Sequence, residues 1–166
     1  MLAKENVIFL GQNLINLGCP MYNSLLNINR SKIIEMPIAE DMQMGISIGL
    51  NLEGFIPITC YPRIDFMMCA INQLVNHLDK VEIMSRGEFK QGIIIRTQIG
   101  NIKPLNPGIQ HCGDYTIGLK KILKNTKVIK LMKPEQIYSS YLEALNRAKN
   151  GKSTLIIERG TGVWKI

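Results

Sequence analysis

Short apolar runs alternate with stretches of helical spacing along this chain. Residues 6–10, NVIFL, read as a strand ended by Gly11. Residues 11–24 carry turn formers and little period, and 32–35 read as a short strand. Pro37 suits a first helical turn. Ile38, Met42, Gly45, Ile46, Gly49 and Leu50 then recur at helical spacing, which predicts a helix over 38–53. Each glycine in it costs about 1 kcal/mol against alanine, so the pair fits only where another helix or a ligand comes close. Gly54 ends that helix. Residues 55–60 read as a strand, 66–84 as a long helix, and 92–96, GIIIR, as a buried β-branched strand. Residues 97–113 form a loop rich in Gly, Pro and Asn, longer than a plain connection needs, which favours a functional loop. A helix over 114–123, a strand over 128–131, a helix over 134–149 opened by Pro134, a strand over 153–158 and a tail over 160–166 complete the chain.

One strand followed by repeated helix–strand units predicts an α/β fold. Its expected form is three layers, a mostly parallel sheet with helices on both faces. The 166 residues suffice for one domain with a sizeable core, so a single domain over 1–166 is expected. Open sheets of this kind bind ligands beyond the carboxyl ends of their strands. The loop carrying Cys60, Tyr61, Pro62 and Arg63 and the loop carrying Gln110 and His111 both follow strands, so both belong to that rim.

Composition narrows the class. Hydrophobic residues make up 46% and charged residues 20%, as in ordinary globular proteins. No apolar run approaches the ~20 residues of a membrane span. The N-terminal apolar run is short and interrupted, unlike a signal peptide, so a cytoplasmic location is expected. The four cysteines show no CxxC spacing, which argues against a zinc site and a disulfide framework. The net charge of +7 is densest at Lys120, Lys121, Lys124, Lys127, Lys130 and Lys133, with no interleaved aromatics. That reads as a solvated basic face rather than a nucleic-acid surface. A docking surface for an acidic partner subunit or an anionic carrier is the sharper alternative.

Candidate chemistry centres on Glu40. Its neighbours Met36, Ile38, Met42, Met44 and Ile46 are apolar. Burial among them would raise an unpaired carboxyl and poise it for acid–base work. The bland alternative is a first-turn acid favoured by the helix dipole, which suits Asp41 better. Asp65 is placed to cap the following helix. Phe66 is placed either in the core or against a flat ligand. His111 sits in a Gly- and Gln-containing loop at a strand's carboxyl end, and site and surface remain open for it. His77, on a helix, reads as structural. The neighbouring pair His111 and Cys112 is a weak candidate for a nucleophilic thiol. Phosphate loops and the common hydrolase and metalloprotease motifs are absent from the sequence.

The stretch 34–80 resembles the pyrimidine-binding domain of thiamine-diphosphate enzymes, nearest to transketolases and the beta subunits of 2-oxo acid dehydrogenases. The matching residues are Pro37-Ile38-Ala39-Glu40, then four residues to Gly45-Ile46-Ser47-Ile48-Gly49. Gly54-Phe55-Ile56-Pro57, Asp65-Phe66, and Ala70 with Gln73 and Asn76 follow, then the loop Gln110-His111. The resemblance implies the fold above in its pyrimidine-binding form. It implies that Glu40 hydrogen-bonds a ring nitrogen of the cofactor's aminopyrimidine and so activates the thiazolium carbon. Phe66 would stack on the pyrimidine, and His111 would face the substrate or relay a proton. Tyr61 and Arg63 complete the expected cofactor rim, where Arg63 suits an anionic 2-oxo acid or sugar phosphate.

Two departures shape the expectation. The family's diphosphate and metal motif, GDG with later asparagines, is absent, since Gly113-Asp114 is followed by Tyr115. No counterpart of the family's C-terminal domain is expected in these residues, and Gln12 stands where related chains often carry an acid. The chain is therefore expected to carry no metal ligands and to be the beta-type subunit of a split transketolase-like or 2-oxo acid dehydrogenase-like enzyme. An alpha-type partner would hold diphosphate and Mg2+, most simply in a heterotetramer of two chains of each kind. The expected substrate is a small molecule, with no nucleic acid and no membrane. A non-catalytic regulatory or scaffold subunit of the same fold is the alternative, and an unrelated nucleotide-binding α/β module a third.

Overall fold

The computed structural model describes residues 6–103 and 106–159. The tail over 160–166 and the first five residues lie outside the described residues, as do positions 104 and 105 of the long loop. Six strands form one parallel sheet: β1 (Val7–Gly11), β2 (Ile33–Glu35), β3 (Ile56–Tyr61), β4 (Gln91–Ile99), β5 (Lys127–Lys130) and β6 (Lys152–Arg159). Their order is β2-β1-β3-β4-β6-β5. Every pairing is parallel, so the expected mostly parallel sheet is wholly so among these strands. The helices are α1 (Pro20–Asn23), α2 (Glu40–Leu52), α3 (Ile64–Met67), α4 (Val81–Met84), α5 (Thr116–Ile122) and α6 (Gln136–Lys149).

The layers follow from strand alternation. On β4 and β6, Ile94 and Ile156 point to one face and meet Met21, Leu25, Tyr141, Ala144 and Leu145 from the α1 and α6 side. Ile93, Ile95, Leu155 and Ile157 point to the other and meet Met44, Ile64, Met67, Leu74 and Leu119 from α2, α3 and α5. Both faces are covered, which is why the central strands read as continuous apolar runs. At the rim of the first face a bidentate pair joins Arg96 Nε and Nη2 to Glu158 at 3.1 Å each, with the Tyr141 hydroxyl donating to Glu158 at 2.6 Å. The partners satisfy one another, which a buried charge requires.

Several boundaries differ from the sequence reading. The helix predicted from Ile38 begins at Glu40, because Ala39 is the cap residue with an extended φ of −157°. Its inward residues are Gln43, Met44 and Ser47, not the apolar stripe chosen by spacing. Met42 and Ile46 are exposed, and a Cβ added at Gly45 or Gly49 would meet nothing within 4 Å. The close approach expected at those glycines is therefore not made within this chain. The predicted 66–84 helix is continuous but irregular. It passes from α3 through a 3-10 turn at Met68–Ala70 to a π-helical stretch at Gln73–Leu78, then α4. The Asp79 amide accordingly bonds back to the Leu74 carbonyl at 3.0 Å. Strand β4 runs on to Ile99, so the first three residues of the expected loop belong to the sheet.

The lysine-rich segment lies at the sheet edge formed by β5, where Lys127 pairs with Glu143 and Lys130 with Asp114 at 2.5 Å. Charges on an edge strand discourage pairing with other chains. No helix among the described residues is long and apolar enough to cross a membrane.

Candidate functional site

The fold makes one crevice by topology. After β1 the chain passes to α1 on one face of the sheet, and after β3 it passes to α3 on the other. Adjacent strands whose connections part in this way open a cleft at their carboxyl ends, where open α/β sheets bind ligands. Gln12 follows β1, Tyr61 ends β3, and Glu40 opens α2 above them.

Glu40 is half-buried at the first position of α2. The expectation of a fully buried acid is corrected here: the helix starts two residues later than predicted, which leaves the carboxylate at its open end. Gln12 Nε2 donates to Glu40 Oε1 at 3.1 Å. Tyr61 is wholly buried, and its hydroxyl donates to the Glu40 carbonyl at 3.2 Å. Burial pushes that phenol well above its ordinary range, so it stays a neutral donor. Tyr61 therefore sits beneath the rim, supporting the start of α2. Gln43 anchors the same turn, donating to Thr59 Oγ1 at 2.8 Å and to the Cys60 carbonyl at 3.1 Å. Its Oε1, and the hydroxyl of Thr97 opposite Tyr61, are buried without partners among the described residues. The Cys60 thiol is fully buried and pushed up to about 12 by desolvation, so it is no nucleophile.

The second wall is α3 and the loop after β4. Phe66 is half-buried, and its ring meets that of His111 edge-on, with centroids 5.4 Å apart and planes at 88°. The two residues singled out from separate segments thus lie together. Arg63 caps α3 by position, not by side-chain bonding, and its Nη1 donates to the His111 carbonyl at 3.2 Å. Gly100 lies under this junction. A Cβ there would fall on the His111 carbonyl oxygen and Arg63 Nη1, so only glycine lets the loop close down. Asp65 does not cap the helix as expected. It sits in the first turn, and its Oδ1 accepts from the Gly113 amide at 3.1 Å and the Tyr115 hydroxyl at 3.3 Å. The Asp65 charge beside it raises the Tyr115 phenol. Asp41 is exposed and accepts from Gln73 at 3.2 Å, tying α2 to the π-helical stretch. His77 is exposed. Cys112 points its thiol toward the Asn101 carbonyl at 3.8 Å, not toward His111.

Sequence reasoning missed Gly100 and the clamp of Asp65 on Gly113 and Tyr115, because these contacts join segments about fifty residues apart with no motif in common. Among the described residues no group of three or more His, Cys, Asp or Glu could hold a metal ion. The chemistry at hand is a carboxylate held by an amide after β1, and an aromatic ring, an imidazole and a guanidinium brought together after β3 and β4.

No family model matches the chain. It is similar to the beta subunit of 3-methyl-2-oxobutanoate dehydrogenase from Mycobacterium tuberculosis, 29% identical over 99 residues, covering 57% of this chain and 28% of that one. It is similar to the beta subunit of 2-oxoisovalerate dehydrogenase from Bacillus subtilis, 24% identical over 109 residues, 66% of this chain and 32% of that one. The pyruvate dehydrogenase E1 component subunit beta of Cyanidium caldarium is 34% identical over 65 residues, 39% of this chain and 20% of that one. The chain thus spans less than a third of these curated relatives. A solved structure described as a split gene transketolase, an inactive beta4 tetramer, shares the fold with a TM-score of 0.66 at 17% identity. It covers 92% of this chain and 44% of that chain. In sequence this chain is therefore similar, over part of its length, to beta subunits of 2-oxo acid dehydrogenases, and in fold it is similar to the split gene transketolase.

Proposed function

We propose that this chain is the pyrimidine-binding, beta-type subunit of a split thiamine-diphosphate-dependent enzyme acting on a 2-oxo acid or ketose-type substrate. The observation that carries the reading is Glu40, held by Gln12 just after β1, with Phe66 and His111 in ring contact in the segments after β3 and β4, all beyond carboxyl ends of adjacent strands. The residues fit the cofactor's aminopyrimidine end. A half-exposed carboxylate matches a ring nitrogen, and Phe66 offers a flat partner. When bound, thiamine diphosphate supplies the carbanion chemistry next to a carbonyl. Glu40 holds a proton at the pyrimidine, and Gln12 keeps its carboxylate aimed. Tyr61 fixes the turn that carries it. His111 relays a proton to or from the substrate, and Arg63, already fixing the loop, faces anionic groups there.

The diphosphate and Mg2+ are assigned to an alpha-type partner chain, with two chains of each kind per assembly, located in the cytoplasm. The exposed Met42, Ile46 and Gly49 and the half-buried Gly45 on one face of α2 support a partnered helix, since apolar surface of this kind marks interfaces. The neighbouring fold's description as an inactive beta4 tetramer of a split gene enzyme supports dependence on a second subunit. A scaffold role would leave the Glu40–Gln12 bond without purpose.

Calorimetry with thiamine diphosphate and magnesium tests the reading, first on this chain alone and then on the complex that co-purifies with it. Stoichiometric binding is expected in the complex only. Micromolar binding to the isolated chain would overturn the split site, and a co-purified complex free of thiamine diphosphate and unable to bind it would overturn the assignment.

A further inference from the structure

Two buried polar atoms near the His111 loop lack hydrogen-bond partners among the described residues, and they are complementary. Asp65 Oδ2 is an acceptor without a donor, and His111 Nδ1 is an imidazole nitrogen without a neighbour. Burying either alone costs free energy, about 1–3 kcal/mol for an unsatisfied group. Their surroundings leave them to each other. Asp65 Oδ1 is already occupied by the Gly113 amide and the Tyr115 hydroxyl. Gly113 is two residues beyond His111, so the clamp brings the loop down beside Asp65. Phe66, next in the chain, meets the His111 ring edge-on. Arg63 Nη1 holds the His111 carbonyl and is a donor, so it cannot receive an Nδ1 proton. The Tyr115 hydroxyl is spent on Asp65.

We propose that Asp65 is the positioning residue of His111: its Oδ2 accepts the Nδ1 proton, fixing the tautomer whose Nε2 is free to take a proton at the crevice. The two groups are not bonded to one another in the arrangement described, and the pairing requires the imidazole to turn about its Cβ–Cγ bond. One carboxylate then does two tasks. Oδ1 sets the loop, and Oδ2 sets the ring. The consequence for turnover rests on the function proposed above; the pairing itself does not.

The test is therefore made on the full chain, without cofactor or partner. Nitrogen-detected imidazole spectra at alkaline pH report the tautomer directly. The wild-type chain is expected to carry the His111 proton on Nδ1. In Asp65→Asn the amide oxygen still accepts from Gly113 and Tyr115, while its NH2 faces the ring. The tautomer is then expected to switch to Nε2–H, with protection of the Gly113 amide against exchange retained. In Asp65→Ala that protection is expected to fall at least tenfold. The exposed His77 is the internal reference and should not change in any variant. A wild-type His111 protonated on Nε2, or an Asp65→Asn chain with an unchanged tautomer, overturns the pairing. Neither result touches cofactor binding by the complex, so failure of this inference and failure of the assigned function are read separately.

Discussion

Replacing Glu40 by glutamine separates chemistry from architecture. In the structure the carboxylate contributes one oxygen to Gln12 Nε2 at 3.1 Å, and its backbone carbonyl, not its side chain, takes the Tyr61 hydroxyl. A glutamine has the same shape and keeps an oxygen for Gln12. The change in stability is then within about 0.5 kcal/mol, as for substitutions that break no packed contact. For a chain of this length that moves Tm by about 2 °C at most. Glu40→Ala differs, because Gln12 is only 7% exposed and loses its acceptor. The cost of such an orphaned group is about 1–3 kcal/mol, a fall in Tm of roughly 2–12 °C. Turnover by the assembled enzyme should fall by ~100-fold to 10,000-fold in Glu40→Gln, the usual cost of removing a proton-transfer group. The assays are thermal unfolding of the chain followed by circular dichroism and exchange of the cofactor's C2 proton in the assembled complex. A Glu40→Gln complex that keeps more than half the wild-type exchange rate would refute the role of Glu40. An alanine variant no less stable than the glutamine variant would refute the Gln12 bond.

Gly100→Ala places a methyl group on the His111 carbonyl and Arg63 Nη1, so the loop must rise; about 1–3 kcal/mol is lost, and calorimetric unfolding with Tm unchanged would contradict the close approach. Gly49→Leu meets nothing within the chain and should raise the isolated chain's stability by about 0.5 kcal/mol through helix propensity. It should nonetheless block assembly with the partner, and normal co-sedimentation would place the interface elsewhere. Cys69 is exposed whereas Cys60 is buried with its thiol pushed up to about 12. A thiol reagent at pH 8 should label Cys69 within minutes and Cys60 only on unfolding, and rapid labelling of Cys60 in the native chain would contradict the packing of β3.

The layers were legible because strand burial is written as runs. GIIIR is apolar at successive positions, and only a strand covered on both faces needs that. Helix α2 was legible as a helix but not in its orientation. Spacing picked out the stripe Met42, Gly45, Ile46 and Gly49 as the one something approaches, while within this chain Gln43, Met44 and Ser47 point inward. The inner face is polar because Gln43 spends its amide on Thr59 and Cys60, an arrangement that hydrophobic periodicity scores as surface. On the proposed reading, the outer stripe is apolar because a partner chain covers it. A sequence records the burial of the assembly, and a helix read as if the chain stood alone is turned by half a revolution. Helix α1 was missed for the opposite reason. It is one turn long, begins at Pro20 and buries only Met21 of its own residues, too short for any period to appear.

The site was legible in its parts and not in its joints. Glu40, Phe66 and His111 were each marked by local pattern, and the fold brings Phe66 and His111 into ring contact from segments 45 residues apart. What local pattern does not carry is who holds whom. Asp65 looked like a cap because acids before helices usually are caps, but capping needs an extended backbone at that residue, and here that conformation belongs to Arg63. Freed from the helix end, Asp65 reaches the loop instead. The same shift of register lets Arg63 take the His111 carbonyl. A displacement of two residues at the start of α3 thus decides which side chain supports the helix and which supports the histidine. The catalytic candidates can be named from the residues that touch a ligand, whereas the residues that aim them become visible only when the loop after β4 is seen to fold back over α3.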